Sequence, residues 1–194
     1  SCIEKIREGG FDNFSIDLIF GYPLLSDSKW KQNIDTALKL NIPHLSCYAM
    51  TVEPKTALAS FIKTKKTPPI NHEQSATQFE YLMSTLEAHS YEHYEISNYA
   101  KNNFESRHNL AYWLGKDYIG IGAGAHSRIY FENEKNRREI MMIHEPLNWL
   151  NKTKDVGNGI QVNKEILAQE LLEELILMGL RLEDGISSQI FKTH

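Results

Sequence analysis

The residues most suited to chemistry lie in RHNLAYW (Arg107 to Trp113) and in the glycine-rich DYIGIGAGAHS (Asp117 to Ser127) that follows. On a helical turn His108 and Tyr112 share one face, and Asn109 and Trp113 another. A neutral imidazole can ligate iron, and flat aromatic rings can cover a macrocycle. The structural alternative is a hydrogen-bonded histidine beside a Tyr-Trp packing anchor. His126 follows Gly-Ala-Gly-Ala at the end of an expected strand, where ligands gather in parallel α/β folds. Gly120, Gly122 and Ala125 also satisfy a dinucleotide-binding pattern, but that pattern demands a following helix. AHSRIYFE alternates and reads as extended, so a dinucleotide site is rejected.

A second candidate is Asp17, inside the apolar run FSIDLIF (Phe14 to Phe20). Strand alternation puts Ser15, Asp17 and Ile19 on one face and Phe14, Ile16, Leu18 and Phe20 on the other. The apolar face is expected to meet helices, and the Asp17 face to look into a barrel or crevice. A buried carboxylate there costs several kcal/mol unless satisfied, either by a structural partner or by a ligand. In YEHYEIS, His93 and Glu95 share a face, where they can do acid–base work or form a hydrogen-bonded pair inside a barrel.

These residues need elements to hold them. CIEKIREGG reads as a helix stopped at Gly9-Gly10. FSIDLIF, HLSCYAMT (His44 to Thr51) and YEHYEIS (Tyr91 to Ser97) read as strands. Between them, Ser26 caps a helix with Trp30, Ile34, Ala37 and Leu38 on one stripe. A short helix is expected near Ala57 to Lys63, and Asn71 begins another with Gln74 placed for a capping box. This order predicts right-handed crossovers and a parallel sheet. Further on, RHNLAYW reads as a loop or one helical turn, and Asp117 to Gly122 as a strand. His126 to Glu132 and Arg138 to Ile143 read as paired strands, and Pro146 to Lys152 as a helix. A strong helix is expected over 164 to 178, capped by Asn163, with a second over Ile186 to Lys192.

The whole chain has 194 residues and a net charge of -4, with scattered basic residues, which argues against nucleic acid as a main partner. Cys2 and Cys47 make no disulfide framework or zinc pattern, and a reducing cytoplasm is the expected compartment. No apolar run is long enough for a transmembrane segment. Ser1 leads straight into a helix-like segment, so the chain is expected to begin inside a longer protein.

IDLIFGYP, EHYEISN, HNLAYW, GIGAGAHS and ELILMGLRLEDGIS occur in that order. Together they resemble the oxygen-independent coproporphyrinogen III oxidase family of radical S-adenosylmethionine (SAM) proteins, most closely its heme-chaperone branch. The resemblance implies an α/β fold: the second half of a partial (β/α) TIM-like barrel over 1–160, then the start of a small helical C-terminal domain over 161–194. It implies SAM and a [4Fe-4S] cluster in the full-length protein, with Asp17, Thr51 and His126 at the SAM pocket. The Cys-x-x-x-Cys-x-x-Cys that holds the cluster does not occur here, so the chain alone is expected to be inactive in radical chemistry. The chaperone branch implies heme as ligand, passed to an acceptor protein. His108 is then the first heme-linked residue and His126 the second, with Asn109, Tyr112 and Trp113 around them and Glu95 and Asn98 as further pocket residues. A histidine at position 126 favours the chaperone over the oxidase, which acts on a porphyrinogen. The remaining alternatives are a metal-dependent hydrolase on a barrel and a structural fragment with an empty pocket. An unpaired strand edge near Phe14 to Phe20 is expected to invite a homodimer.

Overall fold

A computed structural model describes residues 2–188. Its contacts group into two units, Ser1–Ser106 and Arg107–His194. In the first unit, α1 (Cys2–Glu8) precedes β1 (Ser15–Phe20), α2 (Asp27–Lys39), β2 (His44–Ala49), α3 (Ala57–Lys63), α4 (His72–Ala88), β3 (Glu92–Glu95) and β4 (Asn98–Ala100). Ser26 caps α2 by accepting from the Lys29 N–H, and Asn71 caps α4 by accepting from the Gln74 N–H. Trp30, Ile34 and Ala37 of α2 and Leu82 and Leu86 of α4 are buried with Phe20, Leu45 and Cys47. Ile16 and Leu18 pack against the same cluster. The apolar face of β1 thus meets helices, as expected, and the Asp17 face does not.

The sheet order is β1-β2-β4-β3. β1 and β2 are parallel, but β2 pairs with β4 antiparallel, and β4 with β3 antiparallel. The expectation of an all-parallel sheet is therefore corrected. After β3 the chain turns back at Ile96-Ser97, and the returning strand takes the inner place. Asn98, Tyr99 and Ala100 are all buried, which suits a central strand, whereas β3 carries the exposed Glu92 to the edge. β1 lies at the opposite edge.

The second unit holds α5 (Arg107–Trp113), β5 (His126–Phe131), β6 (Asn136–Met142), α6 (Pro146–Val156), β7 (Ile160–Glu165) and α7 (Ala168–Gly179). β5, β6 and β7 form an antiparallel sheet in that order. Three expectations are corrected. RHNLAYW is a seven-residue helix rather than a loop or single turn. Asp117 to Gly122 is not a strand: only Tyr118 bridges, to Arg128, and the glycines around it turn the chain. Residues 160–165 are a strand and the helix starts at Ala168, with Leu167 rather than Asn163 as its N-cap residue. Asn163 instead pairs with Ile140, because Ile160 and Val162 alternate onto the sheet. The expected boundary at 160/161 falls at the start of β7, so pairing to β6 continues across it. Of the helix expected over Ile186 to Lys192, residues 186–188 are not helical and the rest lies outside the described residues.

Gln78 ties α4 to the turn after β1. Its Oε1 accepts from the Gly21 N–H at 3.0 Å, and its Nε2 donates to the Leu25 carbonyl at 3.2 Å and to Asp27 at 3.0 Å. Gln78→Leu keeps the volume but orphans two buried backbone groups, each costing about 1–3 kcal/mol. The first unit should lose about 2–4 kcal/mol. Urea unfolding followed at Trp30, with Trp113 and Trp149 replaced by Phe, checks this; a loss near zero would contradict the pinning role.

Candidate functional site

On the open face of the first sheet, alternation and register gather polar residues into rows. Asp17 pairs with Ser46, Ser46 with Asn98, and Asn98 with Glu95, one residue from each of four strands. Asp17 is exposed, and none of the described residues hydrogen-bonds its carboxylate. The expectation of a costly buried ion is corrected: no helix of this unit covers that face, so water solvates the group. Ser46, Asn98 and Glu95 are buried. The Glu95 carboxylate accepts from the Asn98 side-chain amide and, at 3.4 Å, from the Ser97 N–H. Glu95 is thus held by its own turn, while His93 stacks on Tyr99 with ring centroids 4.7 Å apart. Thr51 lies exposed just past the C-terminal end of β2, where the Met50 N–H donates to the Phe20 carbonyl.

The neighbouring row holds a group that the sequence reading passed over. His44 stands opposite Ser15 and is 5% exposed. Its Nδ1 lies 2.7 Å from Ser15 Oγ and its Nε2 lies 2.8 Å from the Tyr94 hydroxyl. Burial lowers the His44 pKa below the usual 6.5, while Asp17 and Glu105 pull the other way.

In the second unit, α5 presents His108 outward. Its ring meets Tyr112 edge-on at 4.8 Å, and Tyr112 meets Tyr118 at 4.4 Å. The sharing of a face by His108 and Tyr112 is as expected. Trp113 lies under the Arg181 guanidinium at 4.9 Å. Asn109 is half-buried on the same helix. His126 opens β5, exposed, opposite Met141. Gly120 is required there: a Cβ would stand 2.1 Å from the His126 carbonyl oxygen. Gly124 has φ +69°, and a Cβ on it would stand 3.3 Å from the His144 ring. The backbone of His126 comes close to Gly120, and a strand rather than a helix follows the small residues, as expected. His144, exposed beside this loop, had not been singled out in the sequence.

The described residues offer nothing that fits an iron–sulfur cluster. No group of three or more His, Cys, Asp or Glu among them can hold a metal ion. Cys47 is buried and its thiol is pushed up to about 12 by desolvation and by Asp17, the opposite of a thiolate ligand.

The lowered His44 pKa gives stability a definite pH dependence. The unfolded chain takes up the proton first as pH falls through about 6.5, so unfolding gains protons there. The contribution of neutral His44 is full above that pH and is lost below it. Trp30-detected urea unfolding should show the first unit weaker at pH 5.5 than at 7.5, and His44→Gln should flatten the difference. An unchanged slope in His44→Gln would assign the effect elsewhere.

No family model matches the chain. Among curated proteins, it is 36% identical to the heme chaperone HemW of Bacillus subtilis over 98% of this chain and 49% of that protein. It is 33% identical to the mitochondrial radical S-adenosyl methionine domain-containing protein 1 of Danio rerio, over 90% of this chain and 40% of that protein. Among solved structures, the coproporphyrinogen III oxidase (HemN) of Escherichia coli, a radical SAM enzyme, matches with a TM-score of 0.73 at 18% identity. That match covers 93% of this chain and 43% of the oxidase, and establishes a common fold. The chain is similar, at 30–36% identity, to proteins named heme chaperone HemW and to a radical S-adenosyl methionine domain-containing protein, and it spans about half the length of the relatives it matches.

Proposed function

We propose that the chain is the part of a heme chaperone that binds heme through α5. The observation that carries this reading is the exposed His108 imidazole, backed by the Tyr112 and Tyr118 rings. An axial ligand must project a nitrogen lone pair past its own scaffold, and a helix facing outward does so. The aromatic backing limits the rotamers of the imidazole, so little side-chain entropy is lost when it binds iron. Asn109, Tyr112 and Trp113 belong to the same patch, and His126 is the second candidate ligand. Names of relatives support heme as the ligand class: they are called heme chaperones at 30–37% identity. The oxidase likeness is 18% in identity and speaks to the fold.

In the whole protein, SAM would lie at Asp17 and Thr51, and the [4Fe-4S] cluster on residues this chain does not supply. Bound heme would pass to an acceptor protein. Strand β1, at the edge of its sheet, is where a further strand would pair, including one from a second copy. Among the described residues no helix is long and apolar enough to cross a membrane; a cytoplasmic setting is part of this proposal.

Titrating the chain with hemin tests the reading. The wild-type chain should shift and sharpen the Soret band, and His108→Ala should lose that signature with its folding intact by circular dichroism. The same spectrum in both would remove His108 from the role. No spectral change in either would favour a scaffold without a heme site.

A further inference from the structure

We propose that Arg137 and Asp117 are positioning residues for the heme ligand: they fix the short helix that carries His108 to the sheet of the second unit. The inference rests on the reading of His108 as an axial ligand and adds what holds that ligand in place.

Helix α5 cannot set its own direction. It is seven residues long, and none of them is buried. Isolated helices shorter than about 12–15 residues are marginal in water, so α5 takes its stability and aim from what grips its ends. A metal ligand needs that aim, because its nitrogen must be held within about 0.5 Å of the productive place.

The grip lies just past the C-terminal end. The Leu114, Gly115 and Lys116 N–H groups donate to the Leu110, Tyr112 and Ala111 carbonyls and close the last turn. Gly115 is pressed against Leu175 of α7, where a Cβ would stand 2.3 Å from a methyl group. Arg137 of β6 reaches the same turn from the sheet. Its Nη2 donates to the Lys116 carbonyl at 2.8 Å, and its Nε lies 3.4 Å from Asp117 Oδ1. Asp117 Oδ2 accepts from the Tyr130 N–H of β5 at 2.7 Å. One carboxylate thus joins both strands to the residues that follow α5. Tyr118 comes next and exchanges two backbone bonds with Arg128 of β5, at 2.8 and 3.0 Å. Its ring lies on Tyr112, and Tyr112 meets His108. From Arg137 to the imidazole, every step is a contact or a peptide bond.

The residue type matters. Arg137 is 7% exposed, so its charge needs partners on the spot. The fixed fork of a guanidinium serves a carbonyl and a carboxylate at once, and an ammonium on a flexible stem does not. The neighbouring Arg138 points to the opposite face of β6, where it bonds Glu134 and Asn163.

Hemin binding followed at the Soret band tests this, together with the iron–imidazole stretching band of the ferrous complex in resonance Raman spectra. Arg137→Lys keeps the charge and loses the fork. It should remain folded by circular dichroism, lose or broaden the iron–imidazole band, and release heme about tenfold faster. Asp117→Asn, which can still accept from the Tyr130 N–H, should act the same way with release about threefold faster. Arg138→Lys should behave as wild type. A purely structural support would lower the melting temperature and leave the band of the folded complex in place. An unchanged band with release within about twofold of wild type, in both variants, therefore overturns the proposal and leaves the His108 reading standing. If Arg137→Lys does not fold, Asp117→Asn decides alone. No Soret change in the wild-type chain, or the same iron–imidazole band in His108→Ala, overturns both.

Discussion

The two faces of the first sheet cannot be exchanged, and that constraint decides where ligand chemistry is available. Ile16, Leu18 and Phe20 of β1 lie in register with Leu45, Cys47 and Ala49 of β2. Burying each large apolar side chain contributes roughly 1.5–3 kcal/mol, so this face must be covered, and α2 and α4 cover it. A slip of one residue would drive Asp17 into that core and expose three apolar residues. Gln78 and the Trp30 indole, which donates to the Gln78 carbonyl at 3.0 Å, lock the helices to each other and to the turn after β1. Whatever is polar on β1 and β2 is thereby confined to the opposite face, in rows set by the strand register.

The second unit uses different means. Its sheet is antiparallel, and the row Arg128, Glu139 and Lys164 crosses all three strands. Arg128 bridges to Glu139 at 3.2 Å and to Glu174 of α7 at 2.9 Å, and Lys164 bridges to Glu139 at 3.3 Å. Arg128 and Glu139 are each only 16% exposed, and the Arg128–Glu174 bridge ties α7 to the sheet. The apolar attachment comes from Ile166, Leu171 and Leu175. Against this frame the segment from Tyr118 to His126 needs glycine where backbone meets backbone. Gly120 N–H donates to Ser127 Oγ at 3.0 Å, a distance that a side chain at 120 would not permit.

What was legible in the sequence divides along the range of the interactions. Helices with local caps and an apolar stripe were readable, because Ser26, Asn71 and the Trp30–Ile34–Ala37 stripe act within a few residues of themselves. The two faces of β1 were readable for the same reason. Strand order was not: the place of β4 depends on Tyr99 and Ala100 being buried against elements far away in sequence, and a three-residue strand carries no periodicity. The helix expected from 164 starts later, at Ala168, because charged Lys164 and Glu165 continue the helical composition of α7 but belong to β7. Their partners, Glu139 for Lys164 and Arg138 for Glu165 in register, lie on β6 and are invisible locally. Of the candidate site, the pairing of His108 with Tyr112 followed from helical spacing. His44 did not stand out, since its meaning lies in Ser15 and Tyr94, which only the sheet brings to it.

The open row also explains why Asp17 need not be structural. A carboxylate that serves a fold takes the donors nearest to it. Here Ser46, opposite Asp17, lies within hydrogen-bond reach of Ser15, and Asn98, next along the row, gives its amide to Glu95. The buried polar groups are satisfied through one another, apart from a Glu95 oxygen and the Asn98 carbonyl, which find no donor among the described residues. Asp17 is excluded from all of these bonds and held in water by a strand whose opposite face is fixed. Its position is therefore a by-product of packing on the other face, and its full set of lone pairs remains open to a donor arriving from outside.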